Sequence, residues 1–287
     1  MKLTTIILTH TNPQLTSDTV DSAETWIGNQ TLLLVDKIGW PLFKDLKIGN
    51  SIIEEGFLHA HNKSPYRNYA LGLKKAYNYF PDSDWFVYME YDCLFTSGSF
   101  KIDLERLERH NVWLAGVDLR RYEPIPFLEE LIGDKITNSY YFLGCCHFLH
   151  RNFVSKIINF IDLLLEETKD FKKGYFPGYN RWAFEEELWP TLAYHLGGSL
   201  AELSCWQGAE KGDWQEIGNT RLICGNKSDL WRGDFEKYPI RNTPEITTID
   251  INSRTSIIHP IKDYNEIRKQ QREKRQLAKK RMLPIYM

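Results

Sequence analysis

An α/β fold with a mostly parallel central sheet flanked by helices is what this chain predicts, on three observations. Short apolar runs of strand character alternate with helix-compatible segments: 5–9 and 31–35 are β-branched or leucine-rich, and 18–27 between them suits a helix. Residues 66–80 then carry Tyr69, Leu73, Ala76 and Tyr77 at helical spacing, and Pro81-Asp82-Ser83-Asp84 ends that helix before the apolar run 85–95. Such alternation favours right-handed crossovers between parallel strands. Third, the runs finish at polar residues: His10-Thr11-Asn12-Pro13, Asp36-Lys37 and Glu90-Tyr91-Asp92. Open parallel sheets bind ligands outside the carboxyl ends of their strands, so these residues are the first candidates for function.

Further along, 112–117 and 140–149 read as strands and 153–167 as an amphipathic helix. Residues 174–182 form an aromatic-rich loop, and 204–234 hold Trp206, Trp214 and Trp231 among glycines. The 287 residues suit one large domain with a tail. A formal net charge of −2 gives no basis for nucleic-acid binding over the body of the chain. The charge is uneven, because 265–282 hold eight basic residues against Glu266 and Glu273, which makes this stretch a separate electrostatic object at +6. Five cysteines without C-x-x-C spacing point to a reducing cytoplasm rather than a disulfide framework. The apolar run near Met1 is too short for a signal peptide, and no segment approaches the ~20 apolar residues of a membrane span.

The chemistry concentrates in 85–95. Alternation along a strand would send Glu90 and Asp92 to one face. Two hard oxygen ligands so placed suit Mg²⁺ or Mn²⁺ carrying a diphosphate. At this point the chain resembles the glycosyltransferases of the Rossmann-like GT-A fold, the broad family 2 type in particular, whose Asp-x-Asp motif ends a central strand and here reads Glu90-Tyr91-Asp92. The resemblance covers residues 3–200 in patches. Upstream, Arg67-Asn68 resembles the family's Arg-Asn-x-Gly element, although Gly72 stands one residue too far away.

The resemblance implies a donor half at 1–95, an acceptor half with site closure at 96–264, and a basic helical tail at 265–287. It implies that Thr9, Thr11 and Asp36 form the nucleotide floor, with Asp36 accepting the base N–H. Glu90 and Asp92 become ribose and metal contacts, Asp92 being the direct ligand. Arg67 pairs with the diphosphate, or else makes an ordinary surface ion pair at a helix start. In 256–262 an apolar run delivers His259, then Pro260, then Lys262. Several GT-A families close the donor site with such a histidine as a further metal ligand, and Lys262 would then meet the β-phosphate; the alternative is a strand-end histidine satisfied by backbone.

A third constellation is Glu185-Glu186-Glu187, followed by Pro190. Proline is tolerated in a helix's first turn, so the three acids are expected at a helix N-terminus, where the dipole favours their charged form. Inverting GT-A enzymes resemble this, with an acid there acting as the base; Glu185 and Glu186 fit that position about equally. The alternative is charge stabilisation of the helix end worth ~0.3–1 kcal/mol. Gly144 would let a sugar approach the backbone, one of Cys145 and Cys146 belongs to the core, and His147 is either catalytic or, more commonly for such a residue, buried. Trp182, Trp206 and Trp214 would either stack on acceptor sugars or fill the core.

The expected protein is therefore a cytoplasmic, Mn²⁺- or Mg²⁺-dependent glycosyltransferase, inverting, that moves a sugar from a nucleotide-diphosphate donor, UDP-sugar favoured, to a saccharide or glycolipid acceptor. Its basic tail either touches anionic lipid headgroups at the membrane periphery or is a solvated, frayed helix. One competitor is a sugar nucleotidyltransferase, which would normally carry a glycine-rich loop where this chain has Thr9-His10-Thr11-Asn12-Pro13-Gln14. The other is a noncatalytic nucleotide- or carbohydrate-binding protein of the same fold.

Overall fold

The computed structural model describes residues 1–58, 65–98, 100–109, 111–116, 119–122, 126–136, 139–142, 144, 146–169, 185–202, 215–216, 222–224, 257–258 and 266–282. The first half runs β1 (Leu3–Thr9), α1 (Pro13–Trp26), β2 (Thr31–Val35), α2 (Trp40–Phe43), β3 (Ile52–Glu55), α3 (Pro65–Tyr79), β4 (Trp85–Glu90), β5 (Leu94–Phe95) and α4 (Phe100–Arg109). The second runs β6 (Val112–Gly116), β7 (Arg120–Tyr122), α5 (Pro126–Ile132), β8 (Ser139–Tyr141), β9 (Cys146–His150), α6 (Arg151–Glu167), α7 (Glu185–His195) and β10 (Ser199–Glu202). It closes with β11 (Gln215–Glu216), β12 (Leu222–Cys224), β13 (Ile257–Ile258) and α8 (Glu266–Met282).

Among the described residues, nine strands form one sheet in the order β11-β12-β10-β6-β9-β4-β1-β2-β3. The pairs β1–β2, β2–β3, β1–β4, β6–β10 and β10–β12 are parallel. Only β9, wedged between β4 and β6, and the edge strand β11 run against their neighbours. The expected mostly parallel α/β fold is what the chain adopts.

Apolar strands buried on both faces explain this sheet, since such strands lose their drive to fold unless helices cover each side. On one face Ile6, Phe86 and Tyr88 pack with Tyr69 and Leu73 of α3, Phe153 and Ile157 of α6 and Trp189 of α7. On the other, Ile7, Val87 and Met89 pack with Val20 and Ala23 of α1 and Leu104 of α4. Each such side chain contributes ~1.5–3 kcal/mol on burial. Gly72 belongs to this packing rather than to a binding element: a Cβ there would lie 2.8 Å from Ile6 Cγ2, so α3 sits on β1 at a distance only glycine permits.

Three expectations change. The first helix begins at Pro13, not at residue 18, because Asn12 takes a left-handed φ of 44° and its Oδ1 accepts the Leu15 N–H at 3.1 Å. The run 140–149 is not one strand: β8 pairs with β7 in a small separate sheet, and β9 enters the main one. The basic tail is neither frayed nor electrostatically separate. Helix α8 lies on α1, with the Arg268 and Arg275 guanidinium groups buried against Asp18 and Asp21. No helix among the described residues is long and apolar enough to cross a membrane.

Candidate functional site

Parallel strands β1, β2 and β4 end side by side, so the loops that follow them meet at one edge. Thr9 closes β1; its buried hydroxyl bonds the Thr16 hydroxyl at 2.8 Å and donates to the Thr11 carbonyl at 3.2 Å. Asp36, just past β2, donates its N–H to Thr9 O at 2.9 Å, takes the Gly39 N–H on Oδ1 at 2.6 Å, and accepts the Trp40 N–H on its carbonyl at 2.9 Å. That is the chemistry of an aspartate opening a turn. Gly39 is needed there, because a Cβ would meet His10 O at 2.7 Å. The sheet edge therefore brings Thr9, Thr11 and Asp36 together, with one Asp36 oxygen engaged by its own turn.

Arg67 and Asn68, on the first turn of α3, serve the scaffold. Asn68 clasps the backbone of Phe57 through both amide atoms, at 2.7 and 3.2 Å. The Arg67 guanidinium reaches the end of α6, donating to the Thr168 carbonyl at 3.1 Å and the Leu165 carbonyl at 3.3 Å, and lies 4.5 Å over the Phe57 ring. A cation at the carbonyl end of a helix is favourably placed. The geometry thus engages Arg67 with that helix end.

Strand β4 stops at Glu90, and Tyr91 and Asp92 form a turn in which the Cys93 N–H bonds the Glu90 carbonyl at 3.0 Å. The period-two argument that put both carboxylates on one face therefore does not extend to Asp92. The two acids have different surroundings. Glu90 is close enough to Glu186 of α7 to raise its pKa, whereas Asp92, 3 % exposed, lies within electrostatic reach of buried Arg268.

Helix α7 opens with the three glutamates, as expected, but Pro190 is its sixth residue and lies beyond the first turn. Proline there leaves the Glu186 carbonyl without its helical donor. The Phe142 N–H supplies one at 2.9 Å, which ties the segment after β8 to the helix. On the other side of Glu186, the carboxylate Oε1 accepts the Gly144 N–H at 2.7 Å. A Cβ on Gly144 would stand 3.0 Å from that oxygen, so the glycine makes room for Glu186 itself. Burial pushes the Glu186 carboxyl up to about 8, and the neighbouring Glu90 and Glu187 add to the rise against the Gly144 and Tyr141 hydrogen bonds. Desolvation outweighs the helix dipole that was expected to keep this group charged.

His147 is fully buried on β9, with Nδ1 2.8 Å from the Tyr69 hydroxyl, and Tyr69 stacks on Tyr88 at 3.5 Å between ring centres. This fits the buried reading. Cys146 is in the core. The Glu185 backbone begins α7, while its side chain, His259, Lys262, Cys145, Trp182, Trp206 and Trp214 lie outside the described residues. For a divalent cation, Glu90 and Asp92 supply hard oxygen donors, and the repulsion between Glu90 and Glu186 is the kind a cation relieves. Among the described residues no three His, Cys, Asp or Glu side chains come together as a complete ligand set. Sequence reasoning missed Arg268; its one signal was the tail's basicity, which gave no partner.

No protein-family model matches the chain, and no curated protein matches it in sequence. Among solved structures the chain is similar to the glycosyltransferase GlyE of Streptococcus pneumoniae TIGR4, at 12 % identity and TM-score 0.44 over 96 % of this chain and 60 % of that one. It is also similar to a glycosyltransferase involved in glycosylation of the major capsid of PBCV-1, at 11 % identity and TM-score 0.40 over 70 % and 81 %. A third, S. aureus TarS 1-349 in complex with UDP-GlcNAc, shows 11 % identity and TM-score 0.35 over 54 % and 47 %. With β1, β2 and β4 ending at one edge and β9 reversed beside them, the chain has a mostly parallel α/β sheet flanked by helices, which is what the fold itself shows.

Proposed function

We propose that this protein is a glycosyltransferase that moves a sugar from a nucleotide-diphosphate donor, UDP-sugar favoured, to a saccharide or glycolipid acceptor. The observation that carries the proposal is the position of Glu186. Its carboxyl is held by the Gly144 N–H at 2.7 Å and lies within electrostatic reach of Glu90, at the carboxyl end of a central strand, where ligands of such sheets bind. In this reading the Thr9, Thr11 and Asp36 edge receives the nucleotide. Glu90 and Asp92 hold Mn²⁺ or Mg²⁺, with His259 and Lys262 as further contacts named from the sequence alone. The cation, when bound, neutralises the diphosphate leaving group.

Glu186, or Glu185 beside it, removes the proton of the acceptor hydroxyl as that oxygen attacks the anomeric carbon, which gives inversion. A pKa near 8 makes Glu186 a stronger base than an ordinary carboxylate, provided it is ionised when the acceptor arrives. Gly144 aims it, and Pro190 frees the carbonyl that anchors its own backbone.

The test is a thermal-shift panel of UDP, GDP, CMP and dTDP, each with and without Mn²⁺, on the native protein and Asp92→Asn, since a ligand of the folded state raises its stability. A metal-dependent rise with UDP, lost in the variant, is expected. No rise with any nucleotide would defeat the proposal.

A further inference from the structure

The turn that carries Asp92 leaves the sheet at the last β1–β4 bond, made by the Tyr91 N–H, so the sheet alone does not fix Asp92. Two backbone bonds reach it, from the Tyr91 N–H to Leu8 O and from the Cys93 N–H to Glu90 O, both 3.0 Å. The Tyr91 carbonyl is held from the other side. Thr19 of α1 donates its hydroxyl to it at 2.5 Å, and Arg268 of α8 donates Nη2 at 3.4 Å. The same guanidinium gives Nη1 to Asp18 Oδ2 at 2.9 Å and to Thr19 Oγ1 at 3.1 Å.

Arg268 is fully buried and Asp18 nearly so, so salt screens this pair far less than it does surface ions. Its neighbour Lys269 is exposed and pairs with Glu266 at 3.6 Å, which separates the role of Arg268 from general basicity of the helix. Burial lowers the Arg268 pKa, and Asp18 and Asp92 oppose that fall, so the charge of Asp92 is felt at the guanidinium.

The seat of α8 is polar. Between α1 and α8 lies a cavity of about 400 Å³, lined by Gln14, Ser17, Arg272 and Gln276 as well as Asp18 and Asp21. Buried ion pairs, rather than close apolar packing, hold this stretch of the junction.

We propose that Arg268 is a positioning residue for the acid-bearing turn, and that α8 is a strap whose guanidinium fixes the Tyr91 carbonyl and thereby the Asp92 carboxylate at the edge of the sheet. Only a planar fork of donors reaches Asp18, Thr19 and Tyr91 together; a lysine ammonium supplies the charge without that geometry. The functional consequence rests on the donor-site reading above, whereas the structural claim stands apart from it.

The experiment is hydrogen exchange on the full chain, comparing the native protein with Arg268→Lys, Arg268→Gln and the exposed-site control Lys280→Ala, together with UDP binding in Mn²⁺. In Arg268→Lys the Cys93 amide, and the Tyr91 amide at the last β1–β4 bond, should exchange about tenfold faster while the rest of the β1 and β4 ladders keeps its protection. UDP affinity should fall with them, and the control should match the native protein. Unchanged exchange at the turn in both Arg268 variants would overturn the proposal. So would an equal rise in the β1 and β4 ladders, which marks general loss of stability. Faster exchange confined to the turn, in a protein that binds no nucleotide even in native form, would establish the strap and defeat the donor reading instead.

Discussion

Glu186 is where a single proton decides most. Burial holds its carboxyl neutral until about pH 8, far above an ordinary glutamate near 4.5. Between those values the folded protein keeps a proton that the unfolded chain has released, so stability falls as pH rises through the window, by up to about 1.4 kcal/mol per unit. Urea unfolding at intervals between pH 5 and 9 checks this, and Glu186→Gln should flatten the slope. If the same group is the base, kcat/KM rises with pH as it ionises, and Glu186→Gln loses about 10²–10⁴-fold in rate with donor affinity kept. A pH–rate profile that rises near 4.5 would assign the proton to another residue. The three acids and their place at a helix start were legible in the sequence. The charge state of Glu186 was not, because it depends first on burial, which exists only in the folded chain. The strand argument that joined Glu90 with Asp92 stops short for a related reason: alternation predicts faces only while a strand lasts, and β4 ends between them.

Helices and strands were legible in proportion to their own periodicity. The segments 5–9, 31–35, 66–80 and 153–167 each carry a pattern dense enough to declare itself, and β1, β2, α3 and α6 lie over them. The start of α1 was hidden because Asn12-Pro13 reads as a loop, although it caps a helix here. Replacing Asn12 by Ala removes the side-chain cap and leaves at a positive φ a residue that tolerates it less well than asparagine, so a loss of about 1 kcal/mol is expected, with Asn12→Gly costing less. Denaturation midpoints of the two variants decide it, and equal midpoints would contradict the cap. The α1–α8 junction is the second element-scale prediction. Arg275 bonds Asp18 and, at 2.7 Å, Asp21 Oδ2, and it is 1 % exposed. Arg275→Met should therefore cost about 3–5 kcal/mol by leaving buried Asp18 short of a partner. Burial alone would raise the Asp21 pKa, but hydrogen bonds from Lys279 and Arg275 outweigh it and hold the value below normal. That contribution is present above the unfolded aspartate pKa and is lost as pH falls through the lower folded one.

For the molecule as a whole, the candidate site draws on distant parts of the chain: the loops after β1 and β2, the turn after β4, the start of α7 and, behind that turn, α8. A sheet whose central strands run parallel allows this, because consecutive strand ends converge while the helices cross elsewhere. The strand plan was therefore readable from local sequence, whereas the contacts that complete the site are long-range and were not. One of them has a consequence for synthesis. Asp18 and Arg268 stand 250 residues apart. At about 5–20 residues per second, a nascent chain carries Asp18 for tens of seconds before its partner exists. Throughout that interval the carboxylate has to stay hydrated, and the turn bearing Asp92 lacks its strap. In the donor-site reading that edge is finished only when α8 arrives, so a chain arrested before that point would have much of its sheet in place and its acid-bearing turn unstrapped.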